Sequence, residues 1–110
     1  MVDKKVFLAC PIGEDNSPER NRSDKLLKYV IHPVTKELLL GPPEEAIIRA
    51  DKMGEPGRIT TQVLRELIES DVVIADLTGT NPNVMYEVGI RQAMMKPLVL
   101  MAEKGQRLAL

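Results

Sequence analysis

Apolar residues along the chain fall into short runs and one-sided stripes, and the two alternate. Val6 to Cys10 (VFLAC) is a run that follows Lys4-Lys5 and is closed by Pro11 and Gly13. Such a bounded run predicts a first strand buried on both faces. Ser17-Pro18 then reads as an N-cap with proline at the first helical position, and Leu27, Ile31, Val34 and Leu38 recur near helical spacing. A helix reaching about Leu39 is expected. Pro33 falls inside it, lacks the amide a helix interior uses and crowds the carbonyl four residues back, which predicts a kink or break.

Gly41-Pro42-Pro43 marks a loop, and Ala46 to Ala50 (AIIRA) predicts a second strand, with helix nucleation at Glu44-Glu45 as the alternative. Beyond Glu55-Pro56-Gly57, the residues Ile59, Val63, Leu64, Leu67 and Ile68 trace one face of an amphipathic helix. Val72 to Leu77 and Leu98 to Met101 predict the third and fourth strands. Between them Asn81, as N-cap, and Pro82 open a helix that runs to about Met95 and stops at Lys96-Pro97. Strands and helices alternate with connections long enough to cross over, so the expected fold class is α/β, a doubly wound parallel sheet in one domain spanning the 110 residues. The chain stops soon after the fourth strand, where such folds usually continue, so a shortened or minimal version is expected.

Composition narrows the function classes. With fifteen basic and sixteen acidic residues the net charge is -1, which gives no footprint for a nucleic-acid partner. One cysteine and one histidine supply neither an internal disulfide nor the usual zinc ligand set, so no metal or other cofactor is expected, and a reducing compartment fits best. No apolar run approaches the roughly 18 residues of a membrane span, and the N-terminal run is too short for a signal peptide core. These features predict a cytoplasmic protein with no membrane partner.

In open parallel sheets ligands bind beyond the carboxyl ends of the strands. That rule selects Pro11, Ile12 and Gly13 after the first strand, Asp51 after the second, and Asp76, Thr78, Gly79 and Asn81 after the third. The helix opened by Asn81 is apolar almost all round except for Asn83, Glu87 and Arg91, four residues apart. The stripe has two readings: a solvated face with a Glu87–Arg91 ion pair, or a carboxylate facing the crevice, where it could act on an electrophilic sugar carbon. Asp76 is either a ligand or the acceptor of an Asx-type turn. Arg20, Arg22 and Arg58 could hold phosphate or be simply solvated, Cys10 reads as core and His32 as surface. Neither GxGxxG nor GxxxxGK[ST] occurs.

The opening KVFLACPIG, the stretch SPERNRSDKLLKYVIHPV, the RAD at Arg49 to Asp51, the EPGRI at Glu55 to Ile59 and ADLTGTNPNVMYEVGIRQAMMKPLVL together resemble the nucleoside 2-deoxyribosyltransferase-like and TIR-like nucleotide-binding proteins. The resemblance implies a flavodoxin-like fold and a crevice for a nucleoside or nucleotide, and four parallel strands in spatial order 2-1-3-4 are expected. It also implies that Glu87, matching the glutamate early in the corresponding helix, works on an N-glycosidic bond of a nucleoside, nucleotide or NAD. A carboxylate there can capture or stabilise the oxocarbenium-like sugar carbon, with Asp76 beside it. Pro11, Ile12, Gly13, Asp51, Thr78, Gly79, Asn81 and Asn83 would bind the substrate. Three function classes stay open: an N-ribosyl hydrolase or (deoxy)ribosyltransferase, a non-catalytic nucleotide-binding or signalling module, and a phosphoacceptor receiver domain resting on Asp76. The unpartnered fourth strand predicts a homo-oligomer.

Overall fold

The computed structural model describes residues 4–38, 43–49 and 61–106. The first strand, β1 (Val6–Ala9), is buried along its whole length, as an unbroken apolar run requires. It pairs in parallel with β2 (Ile47–Arg49) on one side and β3 (Val72–Asp76) on the other, and β3 pairs in parallel with β4 (Leu98–Met101). The sheet order is β2-β1-β3-β4, the expected doubly wound arrangement. The order reverses between β1 and β3, so the loops leaving their carboxyl ends diverge to opposite faces and open a crevice between them.

Strand alternation divides the core in two. Phe7, Ala9, Val73 and Ala75 face helices α4 (Thr61–Glu69) and α5 (Pro82–Ala93), where they meet Val63, Leu67, Val84 and Val88. Leu8 and Ile74 face the other way, against Leu26, Leu27 and Ile31 of the helical segment that follows β1. That segment begins as α1 (Pro18–Leu26), capped by the Ser17 side chain, which accepts from the Arg20 amide.

The kink or break expected at Pro33 takes the form of a change of helix type just before it. The chain passes from α1 through one π turn (Leu27–Ile31), in which the His32 amide bonds the Leu27 carbonyl five residues back, into α2 (His32–Glu37). The wider turn starts a new α segment just before Pro33, where a missing amide leaves no bond unmade. It also advances the inward face: Ile31 and Thr35 are buried, whereas Val34 and Leu38 of the expected stripe are 48% and 62% exposed.

Both readings of the Glu44–Ala50 region are realised in part, as a short α3 (Pro43–Ala46) leading directly into β2. The Asn81 helix ends at Ala93, with Met95 left-handed just beyond it at φ 54°. Asp51, Arg58 and the loop residues Gly41, Pro42 and Glu55 to Gly57 lie outside the described residues, as does Ile59. Among the described residues no helix is long and apolar enough to cross a membrane.

Candidate functional site

The crevice at the switch point holds a cavity of about 230 Å³ lined by Pro11, Pro18, Glu19, Arg22, Thr78 and Gly79. Pro11, Thr78 and Gly79 were expected there from the chain order alone. Arg22, one of the arginines that the sequence offers as a phosphate holder, is in the lining, and Pro18 and Glu19 join it because a helix that follows the first strand delivers its first turns to this edge.

The two loops that frame the crevice are held in conformations few residues adopt. Gly13 has φ +64°, and a Cβ there would lie 2.6 Å from the Ser17 hydroxyl that caps α1, so only glycine fits. On the opposite wall a single 3-10 turn (Thr78–Thr80) carries Gly79 at φ 79° and Thr80 at φ 48°. A β-branched residue with positive φ is strained, and such strain gathers at functional loops. The turn is anchored at its far end by Asn81, whose side chain accepts from the amides of Asn83 and Val84 and caps α5.

Asp76, at the end of β3, is 1% exposed and lies behind the lining residues that it bonds. One carboxylate oxygen is paired with Arg22 and the other accepts from the Thr78 amide at 3.1 Å, the Asx-type arrangement. Arg22 continues outward, donating to the Thr78 hydroxyl at 2.9 Å and meeting the Glu103 carboxylate at 3.5 Å, while the Glu103 amide donates to the same hydroxyl at 2.8 Å. Arg22 therefore ties α1, the β3–α5 loop and the segment after β4 into one network. Both Asp76 oxygens are thus engaged in that network.

Glu87 is placed differently. Asp76 faces α1, whereas Glu87 lies on the inner side of α5 with Val84 and Val88, on the other face of the sheet. The two carboxylates are not brought together. Glu87 is only 6% exposed, and no hydrogen bond or ion pair joins it to any described residue. Burial alone pushes its carboxyl from 4.5 up to about 7.

The ion-pair reading of the stripe is overturned. Arg91 is fully buried and donates to the backbone carbonyls of Leu67, Asp71 and Pro97 at 3.0–3.1 Å, with no bond to Glu87. Burial draws its pKa down and the Asp71 charge draws it back up. Of the other expected residues, Ile12 packs against the Leu8–Cys10–Ile31 cluster and Asn83 is exposed on the outer side of α5. Arg20 bonds Asp15 at 2.9 Å and the Gly13 carbonyl at 3.2 Å.

A second buried polar cluster went unforeseen. Ser23 receives a bond from Arg49 at 2.8 Å and lies 3.1 Å from the Cys10 sulfur, and Arg49 also pairs with the Asp24 carboxylate. It pins α1 to the carboxyl ends of β1 and β2. Among the described residues no group of three or more acidic, histidine or cysteine side chains is placed to hold a metal. Comparison with protein-family models and with curated proteins finds no match.

Proposed function

We propose that this chain binds a nucleoside or nucleotide at the switch-point crevice and cleaves or transfers at its N-glycosidic bond, with Glu87 as nucleophile or oxocarbenium stabiliser. One observation carries the reading: Glu87 is a buried carboxyl with no described partner and a pKa near 7. Ionising such a group costs the fold stability, so a role outside folding is its physical rationale. In the covalent form of the reaction a Glu87 oxygen bonds the anomeric carbon as the glycosidic C–N bond breaks. The base leaves with the electron pair and takes a proton from water. Water or an acceptor hydroxyl then displaces the carboxylate and loses its proton to solvent.

A non-catalytic binding module is the second reading, favoured by Glu87 lying outside the cavity lining and by Asp76 being committed to Arg22 and Thr78. Incubation with nucleosides, nucleotides and NAD, followed by chromatography for free base, separates the two. The enzyme reading requires base release that falls at least about a hundredfold in Glu87→Gln. As nucleophile Glu87 must be ionised, so the wild-type rate should rise through pH 7 to a plateau; a rate that falls there would make it a general acid instead. Binding without base release would leave the module. We further propose a homo-oligomer, on the edge of β4, which pairs with β3 alone among the described residues, and a cytoplasmic location, on a sequence whose single cysteine cannot form an internal disulfide.

A further inference from the structure

Resting on the nucleoside reading above, we propose that the crevice takes an uncharged glycoside and discriminates against 5′-phosphorylated ones, with Glu19 and Glu103 as specificity-determining residues. Among the described residues that line the cavity, Arg22 is the one cation. Its guanidinium is already answered by Asp76 on the inner side and by Glu103 on the outer side, and it bonds Thr78 between them. Glu19 adds a carboxylate on the wall, joined to no described residue by a hydrogen bond or ion pair. A phosphomonoester, carrying about -1.5 to -2 charge, would meet the Glu19 carboxylate on the wall and a lining cation whose charge Asp76 and Glu103 already balance from behind the lining. Any phosphate bound to Arg22 would compete with the Glu103 carboxylate for the guanidinium.

The hydrogen-bonding groups left over suit hydroxyls instead. The Thr78 oxygen accepts from both Arg22 and the Glu103 amide, which fills its lone pairs and leaves its own proton to donate. Glu19 can only accept. One donor and one acceptor facing the same small cavity match a sugar hydroxyl pair, whose members each donate and accept, and neither supplies charge for a phosphate. Like-sign charge at the wall rejects the wrong ligand while leaving the right one untouched, which is how discrimination arises without added affinity.

The test uses calorimetry on the full chain with 2′-deoxyadenosine, 2′-deoxycytidine, adenosine, cytidine, their 5′-monophosphates, and NAD. At least one nucleoside should bind about tenfold or more tightly than its monophosphate. That gap should narrow when salt is raised from about 20 mM to about 500 mM, since screening weakens the repulsion. Glu103→Gln, which keeps the backbone bond to Thr78, should raise monophosphate affinity about tenfold more than nucleoside affinity, and Glu19→Gln should act in the same direction. A thermal melt of each variant checks the fold. A monophosphate or NAD that binds as tightly as the parent nucleoside, or a gap unmoved by salt and by both substitutions, overturns this inference and leaves nucleoside recognition standing. Failure of every nucleoside and nucleotide to bind overturns both together.

Discussion

Glu87 and Arg91 sit one turn apart on the same buried face of α5 and solve burial in opposite ways. Arg91 has its guanidinium satisfied by three backbone carbonyls, so it works as a cross-link between α5, the end of α4 and the starts of β3 and β4. Arg91→Met keeps the bulk but strands those carbonyls, and should destabilise the fold by about 2–4 kcal/mol in urea unfolding. Glu87 has no such satisfaction, and its linkage to pH has a definite sign. Its folded pKa, about 7, lies above the 4.5 of the ordinary group. The folded chain therefore holds a proton that the unfolded chain releases. The associated stability is full below pH 4.5 and is lost as the pH rises through 7. The full loss corresponds to about 3 kcal/mol. Glu87→Gln should remove it, leaving the variant no different from wild type near pH 4 but more stable at pH 8. Urea unfolding at the two pH values reads this directly, and a variant that is weaker at pH 8 would mean that the carboxylate has a stabilising partner. A residue whose replacement raises stability while lowering base release would carry the trade-off expected of a functional group.

At the level of elements, the caps decide what the crevice looks like. Asn81 holds the first turn of α5 through two amides and so fixes the end of the strained Thr78–Thr80 turn. Asn81→Ala should destabilise the protein by about 1 kcal/mol and weaken ligand binding by more than that loss alone explains, whereas Asn81→Asp should restore both. Parallel melts and titrations distinguish the two effects. These caps, the four strands and the walls Pro11 and Gly79 could be read along the chain, because local signals such as Asn-Pro, Ser-Pro and bounded apolar runs determine them. The π turn could not be read, since it is the fold's answer to Pro33 in a helix that must still reach α2, and nothing at Leu27 to Ile31 announces it. Burial of Glu87 and Arg91 was equally illegible. A polar stripe at a spacing of four looks the same whether it faces water or a second helix, and only the packing of α4 beside α5 decides which. Arg22 is legible as a candidate phosphate holder near a helix start, but its role as a tie between Asp76 and Glu103 is not, because those partners are far away in sequence.

Across the whole molecule, the least finished surface is the outer side of β4. This strand pairs only with β3 among the described residues, and its adjacent Val99 and Leu100 are 50% and 49% exposed. Neighbouring residues on a strand point to opposite faces, so both faces are half-exposed at once, and the backbone groups of the outer edge pair with no described residue. Met95, 93% exposed in the turn between α5 and the strand, is a further uncovered apolar side chain. Strand edges of this kind are normally blunted by charge, proline or a bulge, yet the four residues of β4 are all apolar. Two such edges can satisfy each other in antiparallel pairing about a twofold axis normal to the sheet, which joins both sheets into one and sets residues of like face against each other. We therefore expect a dimer by light scattering at micromolar concentration. Val99→Lys and Leu100→Lys each place like charges on one face of that junction, and together they should yield a monomer with unchanged circular dichroism. A wild type that is already monomeric at that concentration would refute the edge pairing. A variant that stays dimeric would move the interface elsewhere, with the Val30–Val34–Leu38 ridge of the π-turn helix, also exposed, as the next surface to substitute.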